Sequence, residues 1–174
     1  MSLPDTSRLQ YRRIDPQSDL MQIYSMQSDS DVMRFIRAPE TEMQPVIERL
    51  KLWTDYQIQR PGLGVWMVVW KENGDLAGHC VLREAEWKAG NDLEIGYVLQ
   101  KNYWGKGLAT EIALGLCKYA FERFPVDSLI AFIDPDNHAS RRVLEKCGFE
   151  SEGLVPAFEG ISMRLRVQRE NFQR

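Results

Sequence analysis

Two glycines stand one residue apart in a stretch that runs between a predicted strand and a predicted helix, Trp104-Gly105-Lys106-Gly107. Glycine adopts the left-handed backbone conformations that turn a loop sharply and direct several N–H groups to one side. The helix that follows adds N–H groups without intrahelical partners and the positive end of its dipole. These features predict an anion site that suits a pyrophosphate, and a tight turn that binds nothing is the alternative.

The spacing of these glycines excludes two other kinds of phosphate site. No Gly-x-x-x-x-Gly-Lys-Ser/Thr sequence occurs in the chain, so the turn is not a P-loop. The third glycine of the dinucleotide-binding fingerprint is also absent. The function of the turn therefore depends on the elements around it and on a second motif.

Hydrophobic periodicity and turn residues predict the elements that position this turn. We predict strands over residues 9–14, 65–70, 76–82, 93–99 and 129–133, one from residue 149 onward, and one over 161–167. We predict helices over residues 16–27, 29–37, 107–123 and 137–148, and one that begins at Thr41 with Gln44 as its capping-box partner and ends at Arg60. The strand–helix–strand unit over 93–133 makes its two strands parallel neighbours. The order of elements indicates an α+β, or mixed α/β, layout.

Composition indicates a single soluble domain over residues 1–174. The chain is 44% apolar and 27% charged, with a net charge of −3, which argues against a nucleic-acid partner. We expect no signal peptide and no membrane span, and hence a cytoplasmic protein. Three separate cysteines and two histidines form no cluster with metal-ligand spacing, so we predict no bound metal.

Two motifs resemble those of the GNAT superfamily of N-acetyltransferases. Residues 94–99 (EIGYVL) followed by 103–111 (YWGKGLATE) resemble its motif A, and residues 134–140 (DPDNHAS) with 143–149 (VLEKCGF) resemble its motif B. The early residues 7–9 (SRL) with Arg12, and residues 31–34 (DVMR), are similar to the RimJ/RimL-like branch, the ribosomal-protein N-acetyltransferases. The resemblance spans about residues 7–168 and its two motifs have the separation typical of the family.

This resemblance implies a central, mostly antiparallel twisted sheet that is splayed between the fourth and fifth strands and flanked by helices. It also implies acetyl-CoA as cosubstrate, with the pantetheine arm paired to strand backbone like an added strand. The residues implied for the arm are Tyr97, Val98 and Leu99, and those implied for the pyrophosphate are Trp104, Gly105, Lys106, Gly107, Leu108 and Ala109. Trp104 replaces the Arg or Gln of the superfamily consensus, which leaves the backbone donors intact.

Motif B places two polar residues near the CoA arm and lacks a third. Asn137 matches the asparagine that bonds the arm, and helix N-capping is its alternative role. Ser140 matches a position facing the CoA sulfur, with simple packing at a helix start as the alternative. Leu144 occupies the position where many members have a tyrosine that protonates the departing thiolate. Ser140 or a water would replace that acid, and Tyr103 and Tyr119 are less favoured by position.

Glu94 is the candidate general base, because it lies in the strand that family members use for one and an amine must lose a proton before it attacks. An ion pair on the strand is its alternative. His79, on the adjacent strand, titrates in the useful range or is a polar partner on a half-buried face. A strand N–H near Tyr97 would stabilise the oxyanion. Core packing is predicted for Cys80, Cys117 and Cys147.

The acceptor implied by the resemblance is a primary amine, either a protein N-terminus or a small amine. Its wall is predicted within residues 26–53 and 152–162, where five acids (Asp29, Asp31, Glu40, Glu42 and Glu159) would favour a cation if they line the cleft. Trp53, Trp66 and Trp87 either shape this pocket or pack in the core. An acyl-CoA sensor without turnover, an interaction domain and a transferase of longer acyl groups are the alternatives. Edge-strand pairing makes a homodimer possible.

Overall fold

The computed structural model describes residues 3–85, 92–158 and 160–172. Its strands are β1 (Leu9–Arg13), β2 (Gly64–Trp70), β3 (Leu76–Glu84), β4 (Leu93–Leu99), β5 (Ser128–Ile133), β6 (Glu150–Ala157) and β7 (Gly160–Gln168). Its α-helices are α1 (Pro16–Ser28), α2 (Ser30–Met33), α3 (Gln44–Gln59), α4 (Leu108–Arg123) and α5 (His138–Lys146). Short 3₁₀ turns cover Lys101–Tyr103 and Arg169–Asn171. Trp87 and Glu159, which the sequence places near the acceptor, lie outside the described residues.

The strands form one seven-stranded sheet in the order β1-β2-β3-β4-β5-β7-β6. Its strand pairs are antiparallel apart from β4 and β5, which are parallel. Strand β4 pairs with β3 along its whole length, but with β5 only at Leu93 and Glu94. The two parallel strands therefore diverge, which confirms the mixed α/β sheet splayed between the fourth and fifth strands.

Hydrophobic residues pack on both faces of the sheet. One core joins the sheet to α4 and α5 and includes Trp66, Ile95 and Ile112. The other lies under α1 and α3, and its strand residues come from β2, β3 and β4. Because side chains alternate along a strand, Ile95 and Tyr97 face α4 whereas Val98 faces α1 and α3. Strand β4 thus borders both cores at the point where the sheet opens.

The predicted start of α3 was wrong. The helix begins at Gln44 with Met43 as its N-cap, and Thr41 caps nothing. Pro45 explains the difference, since a helix capped by Thr41 would need the proline N–H for its first hydrogen bond to the Thr41 carbonyl. In the observed helix Pro45 falls in the first turn, where a missing N–H costs nothing. Ile47 is 41% exposed, outside the buried face where its spacing placed it.

Candidate functional site

The turn after β4 has the backbone geometry that its glycines predict. Gly105 and Gly107 adopt φ values of +71° and +75°, in the left-handed region that disfavours other residues. Gly107 is the N-cap of α4, and the first helical hydrogen bond runs from the Glu111 N–H to the Gly107 carbonyl. The N–H groups of Leu108 and Ala109 precede that bond and have no carbonyl within the helix to donate to. The turn therefore provides a row of backbone donors at the positive end of α4.

Aromatic side chains fasten this turn to the sheet. The Trp104 indole Nε1 donates to the Leu99 carbonyl at 2.8 Å, which ties the turn to the last residue of β4. The Lys106 ammonium lies over the ring of Trp70 at 4.7 Å and over that of Tyr103 at 5.5 Å. Such cation–π contacts keep the lysine side chain against the β2–β3 end of the sheet. Trp104 and Lys106 therefore position the loop through their side chains, in addition to any use of their backbone N–H groups.

The gap between β4 and β5 starts at Glu94 and opens toward the glycine turn. Since β4 pairs with β5 only at Leu93 and Glu94, its edge from Tyr97 to Leu99 faces β5 without a ladder in the described chain. Those are the residues implied to pair with a pantetheine arm. An extended chain could add to this edge as a strand does, and its far end would then reach the N-terminus of α4.

The Tyr97 side chain makes hydrogen bonds across the gap, from the sheet to Ser140 of α5. The Tyr97 hydroxyl lies 2.9 Å from the Ser140 hydroxyl, so residues from β4 and from the first turn of α5 meet there. Burial raises the pKa of Tyr97 above its usual range, and the bond to Ser140 offsets only part of that effect. Leu144 is 1% exposed and belongs to the core. A phenol therefore stands beside Ser140, but it comes from the strand instead of from α5.

Asn137 caps α5, because its side-chain oxygen accepts from the Ser140 N–H at 3.0 Å. The capping alternative for this residue is thus realised. The cap uses the side-chain oxygen alone, so the NH₂ group can still donate to a ligand. The same cap fixes the backbone of Ser140 and so helps to aim its hydroxyl at Tyr97.

Glu94 is 7% exposed and takes part in an ion pair, as its alternative role predicts. Arg83 lies directly opposite on β3, with its Nη2 at 2.9 and 3.1 Å from the two carboxylate oxygens. The same guanidinium lies 5.8 Å from the centre of the Phe158 ring. The candidate base is therefore present beside the gap, held by a cation from the neighbouring strand.

Phe158 comes from the turn between β6 and β7 and reaches across the open part of the sheet. Its ring contacts Arg83 of β3 and packs edge-on against Phe132 of β5 at 5.7 Å. Its φ of 55° makes it a non-glycine residue in the left-handed region, a conformation that the rest of the fold must enforce. The ring nevertheless stays 67% exposed, so it borders the space above Glu94 without being buried.

His79 lies on the same face of the sheet, under α3. It is 8% exposed, its ring centre is 5.2 Å from that of Trp53, and its Nδ1 has no hydrogen-bond partner among the described residues. Burial lowers its pKa to about 4, and the nearby charges of Arg37 and Arg49 act in the same direction. The imidazole is therefore neutral at physiological pH.

Most of the acids predicted near the acceptor already have partners. Asp31 is ion-paired with Lys101, and Glu40 with Arg49 and Arg37. Asp29 caps α2 through its carboxylate, and Glu42 is exposed. A cavity of about 290 Å³ lies beside Asp29, bordered by α1, α2 and residues 100–102. The four of these acids that the structure describes therefore do not form a strongly negative wall. Trp66 is 1% exposed and belongs to the core, whereas Trp53 is half-buried beside His79.

Two negative observations apply to residues 3–85, 92–158 and 160–172. They contain no group of three or more His, Cys, Asp and Glu side chains arranged to hold a metal ion. None of their helices combines the length and apolar composition that crossing a membrane requires. Cys80, Cys117 and Cys147 are all buried, in agreement with the predicted core packing.

A comparison with protein families matches residues 8–150 to the acetyltransferase (GNAT) domain. The chain belongs to the GNAT acetyltransferase family. The match includes both motifs, the glycine turn and the β4–β5 gap, and so assigns the described geometry to an acetyltransferase domain.

Relatives and solved structures agree with this assignment. The uncharacterized N-acetyltransferase p20 of Bacillus licheniformis is 27% identical over 161 residues, covering 92% of this chain and 89% of that protein. The crystal structure of a GNAT-family acetyltransferase from Bacillus anthracis is 26% identical, with a TM-score of 0.77, and covers 98% of this chain and 99% of that one. The fold is also similar to spermidine N-acetyltransferase from Vibrio cholerae in complex with CoA and spermine, at 18% identity and a TM-score of 0.76, over 96% of this chain and 99% of that one.

Sequence reasoning missed the side-chain partners of the site. The motif implies a role for the backbone of Tyr97 alone, and the contact of its hydroxyl with Ser140 joins residues 43 positions apart. No motif contains Arg83, although opposite charges on neighbouring strands of a predicted meander are a signal that indicates such a pair. No feature of the sequence marked the positive φ of Phe158.

Proposed function

We propose that this acetyltransferase moves an acetyl group from acetyl-CoA to a primary amine by direct attack within a ternary complex. The observation that carries the proposal is the β4–β5 gap, which runs from Glu94 to the glycine turn and has the Tyr97–Ser140 pair between them. One ligand with a thioester, an extended arm and a pyrophosphate fits that order of features. The comparison structures bound to CoA or acetyl-CoA support this choice of cosubstrate.

In this proposal the arm pairs with the backbone of Tyr97, Val98 and Leu99, and the pyrophosphate accepts N–H groups from residues 104–109. The thioester then lies where the gap closes, between Glu94 and Ser140. The NH₂ group of Asn137 donates to the arm while its oxygen continues to cap α5. Backbone contacts dominate, so Trp104 in place of the consensus Arg or Gln costs little.

The amine loses its proton before it attacks, because an ammonium has no lone pair for the thioester carbon. Glu94 takes that proton, either directly after Arg83 moves aside or through a water. The nitrogen then bonds to the carbonyl carbon, and a strand N–H near Tyr97 stabilises the oxyanion. His79 stays neutral and buried, so it serves as packing for the acceptor side and not as the base.

The attacking nitrogen releases its second proton to solvent, the carbon–sulfur bond breaks as the tetrahedral intermediate collapses, and the thiolate leaves with the bonding electrons. Ser140 donates its proton to the sulfur and recovers one from the Tyr97 hydroxyl, which is then reprotonated from solvent. Because the pKa of Tyr97 is raised, the phenol keeps its proton until the serine needs it. This relay takes the role of the tyrosine that many family members have at the position of Leu144.

The acceptor is an amine with some positive charge or an accessible protein N-terminus. The V. cholerae enzyme is bound to CoA and spermine, and the aminoglycoside acetyltransferase AAC(6')-Ib, another structure of similar fold, is bound to CoA and kanamycin, so related folds accept cationic amines. Here Glu94 supplies the negative charge and Phe158 an aromatic face next to it. Narrower assignments remain proposals: the RimJ/RimL-like branch, a single domain over residues 1–174, a cytoplasmic location and a homodimer.

The test is thiol release from acetyl-CoA in the presence of a panel of amines. The panel contains spermidine, an aminoglycoside, lysine and one peptide in two forms, with its N-terminus free or blocked. We expect at least one amine to give thiol and acetylated product in equal amounts, measured by a thiol reagent and mass spectrometry. Acetyl-CoA binding without product from any amine would instead favour the sensor. Succinyl-CoA in the same panel separates a transferase of longer acyl groups.

A further inference from the structure

The segment that precedes β1 is bonded to the first turn of α4 through a single carboxylate. Glu111 accepts at one oxygen from the Thr6 hydroxyl at 2.6 Å, the Ser7 hydroxyl at 3.2 Å and the Arg8 N–H at 2.9 Å. Its other oxygen accepts from the Arg8 Nε at 2.7 Å. Burial raises the pKa of Glu111, but the bonds from Thr6 and Arg8 outweigh it and hold the pKa below its usual value. The carboxylate is therefore charged, and it orients Arg8.

That orientation places the guanidinium against the glycine turn. Arg8 Nη1 donates to the Lys106 carbonyl at 2.9 Å. A Cβ built on Gly107 would lie 3.7 Å from Arg8 Nη2, so this nitrogen stands next to the residue that caps α4. Nη2 makes no hydrogen bond within the described chain, and the Arg8 side chain is 45% exposed. One edge of the guanidinium is thus held by protein while the other faces solvent beside the turn.

The position of Arg8 changes the balance of charge at the glycine turn. A carboxylate in the first turn of a helix interacts favourably with the helix dipole, yet it repels a phosphate that binds the same N–H groups. The charge of Arg8 offsets that of Glu111 at hydrogen-bond distance. It also adds a charge-assisted donor of the planar kind that suits phosphate oxygens. Lys106 does not replace it, because its ammonium lies over Trp70 and Tyr103.

We propose that Arg8 is a phosphate ligand of the acyl-CoA and that Glu111 is the residue that positions it. This inference rests on the proposed use of acyl-CoA and adds the segment before β1 to the cosubstrate site. The competing explanation is that the pair only ties β1 to α4. A structural tie affects every donor equally, whereas a phosphate ligand affects only donors that carry the pyrophosphate.

The experiment compares acetyl-CoA with S-acetyl-pantetheine, which has the same thioester and arm without the pyrophosphate. For Arg8→Gln we expect an acetyl-CoA affinity about 10-fold weaker by calorimetry, because a charge-assisted hydrogen bond is lost. The kcat/KM for S-acetyl-pantetheine should stay within twofold of wild type. The salt dependence of acetyl-CoA binding should become shallower. Arg8→Lys keeps the charge but lacks the planar guanidinium, so its acetyl-CoA affinity should lie between those of wild type and Arg8→Gln.

Arg60→Gln is the matched control, since it also removes one arginine charge from an exposed ion pair, with Glu84. It should leave both the acetyl-CoA affinity and the kcat/KM for S-acetyl-pantetheine unchanged. Equal losses for both donors in Arg8→Gln, or an acetyl-CoA affinity within twofold of wild type, overturn the inference. If Arg8→Gln does not fold, Arg8→Lys with an unchanged acetyl-CoA affinity and salt dependence also overturns it. Wild-type protein that binds no acetyl-CoA contradicts the proposed function itself, which separates the two failures.

Discussion

The proposed cosubstrate end and the proposed acceptor end of this protein are formed by different chemical groups, backbone at the one and side chains at the other. At the cosubstrate end, the glycine turn, the open edge of β4 and the start of α4 present mainly backbone groups in fixed conformations. At the acceptor end, Glu94, Arg83 and Phe158 meet from three separate strands or turns through their side chains. Motifs describe the first kind of site well, because backbone geometry follows from local sequence. The second kind depends on long-range packing.

The charged groups differ between the two ends in the same way. The donors at the cosubstrate end point to a place where a ligand can bind. At the acceptor end the carboxylates of Glu94, Asp31 and Glu40 are each bonded to a cation of the protein. In the proposed binding mode, a cationic acceptor therefore competes with arginine or lysine side chains, whereas the CoA phosphates meet mainly backbone N–H groups. We infer that affinity resides in the first end and selectivity in the second.

The replacement of Glu94 by glutamine has the largest expected effect on activity and is the strongest test of the proposed acceptor end. We expect kcat/KM to fall about 100-fold or more, since the group that accepts the amine proton is lost. The remaining activity should rise with pH as more of the amine becomes neutral. Thiol release between pH 6.5 and 9 measures both effects. Glu84→Gln removes an exposed carboxylate from the same strand pair and should retain activity. A Glu94→Gln enzyme with the rate and pH profile of wild type would remove Glu94 from the mechanism.

Tyr97→Phe tests the relay across the gap. We expect kcat to fall at least about 10-fold because Ser140 loses its proton source, while the KM values of both substrates stay near wild type. Steady-state kinetics with acetyl-CoA and the best acceptor measure this. Tyr119→Phe is the matched control, since its buried hydroxyl donates to the Gly62 carbonyl and not to α5. An unchanged kcat for Tyr97→Phe would leave Ser140 with a water as the acid.

Phe158 sharpens the contrast between affinity and selectivity. Phe158→Ala and Phe158→Gly should both raise the KM of the acceptor several-fold and leave the acetyl-CoA affinity unchanged. The glycine variant should be more stable than the alanine variant by about 1 kcal/mol, because only glycine adopts a φ of 55° without strain. Kinetics and urea unfolding provide the two measurements. A changed acetyl-CoA affinity with an unchanged acceptor KM would reverse the assignment of Phe158.

For His79 we expect an effect on the pH dependence of stability and none on the chemical step. The unfolded histidine titrates near 6.5 whereas burial lowers the folded pKa to about 4, so the unfolded state binds more protons between these values. The contribution of the neutral, buried His79 to stability is therefore fully present above pH 6.5 and is lost as pH falls toward 4. Between pH 7.5 and 5.0 we expect a loss of about 2 kcal/mol in the free energy of unfolding. His79→Phe, which cannot titrate, should lack that part of the loss in urea titrations. Equal pH dependence in both proteins would contradict it.

The sequence predicts the framework and the backbone of the glycine turn in detail. Hydrophobic alternation locates β4 at Leu93–Leu99, and the glycine pair locates its turn, because both signals are local. The start of α3 failed where Pro45 outweighed a capping pattern at Thr41. The contacts of Tyr97 with Ser140 and of Arg8 with Glu111 join residues 43 and 103 positions apart, so no local pattern contains them. They follow only from how the sheet brings its helices together.

Acetyl-CoA binding at the glycine turn is the central claim, and calorimetry with wild type, Gly107→Trp and Gly74→Trp tests it most directly. Gly107 and Gly74 have φ values of +75° and +77°, so the two substitutions impose similar strain, but Gly74 lies in the β2–β3 turn with open space around it. We predict that wild type and Gly74→Trp bind acetyl-CoA and that Gly107→Trp does not. Binding by folded Gly107→Trp with wild-type affinity, or no binding by folded wild type, would contradict the account.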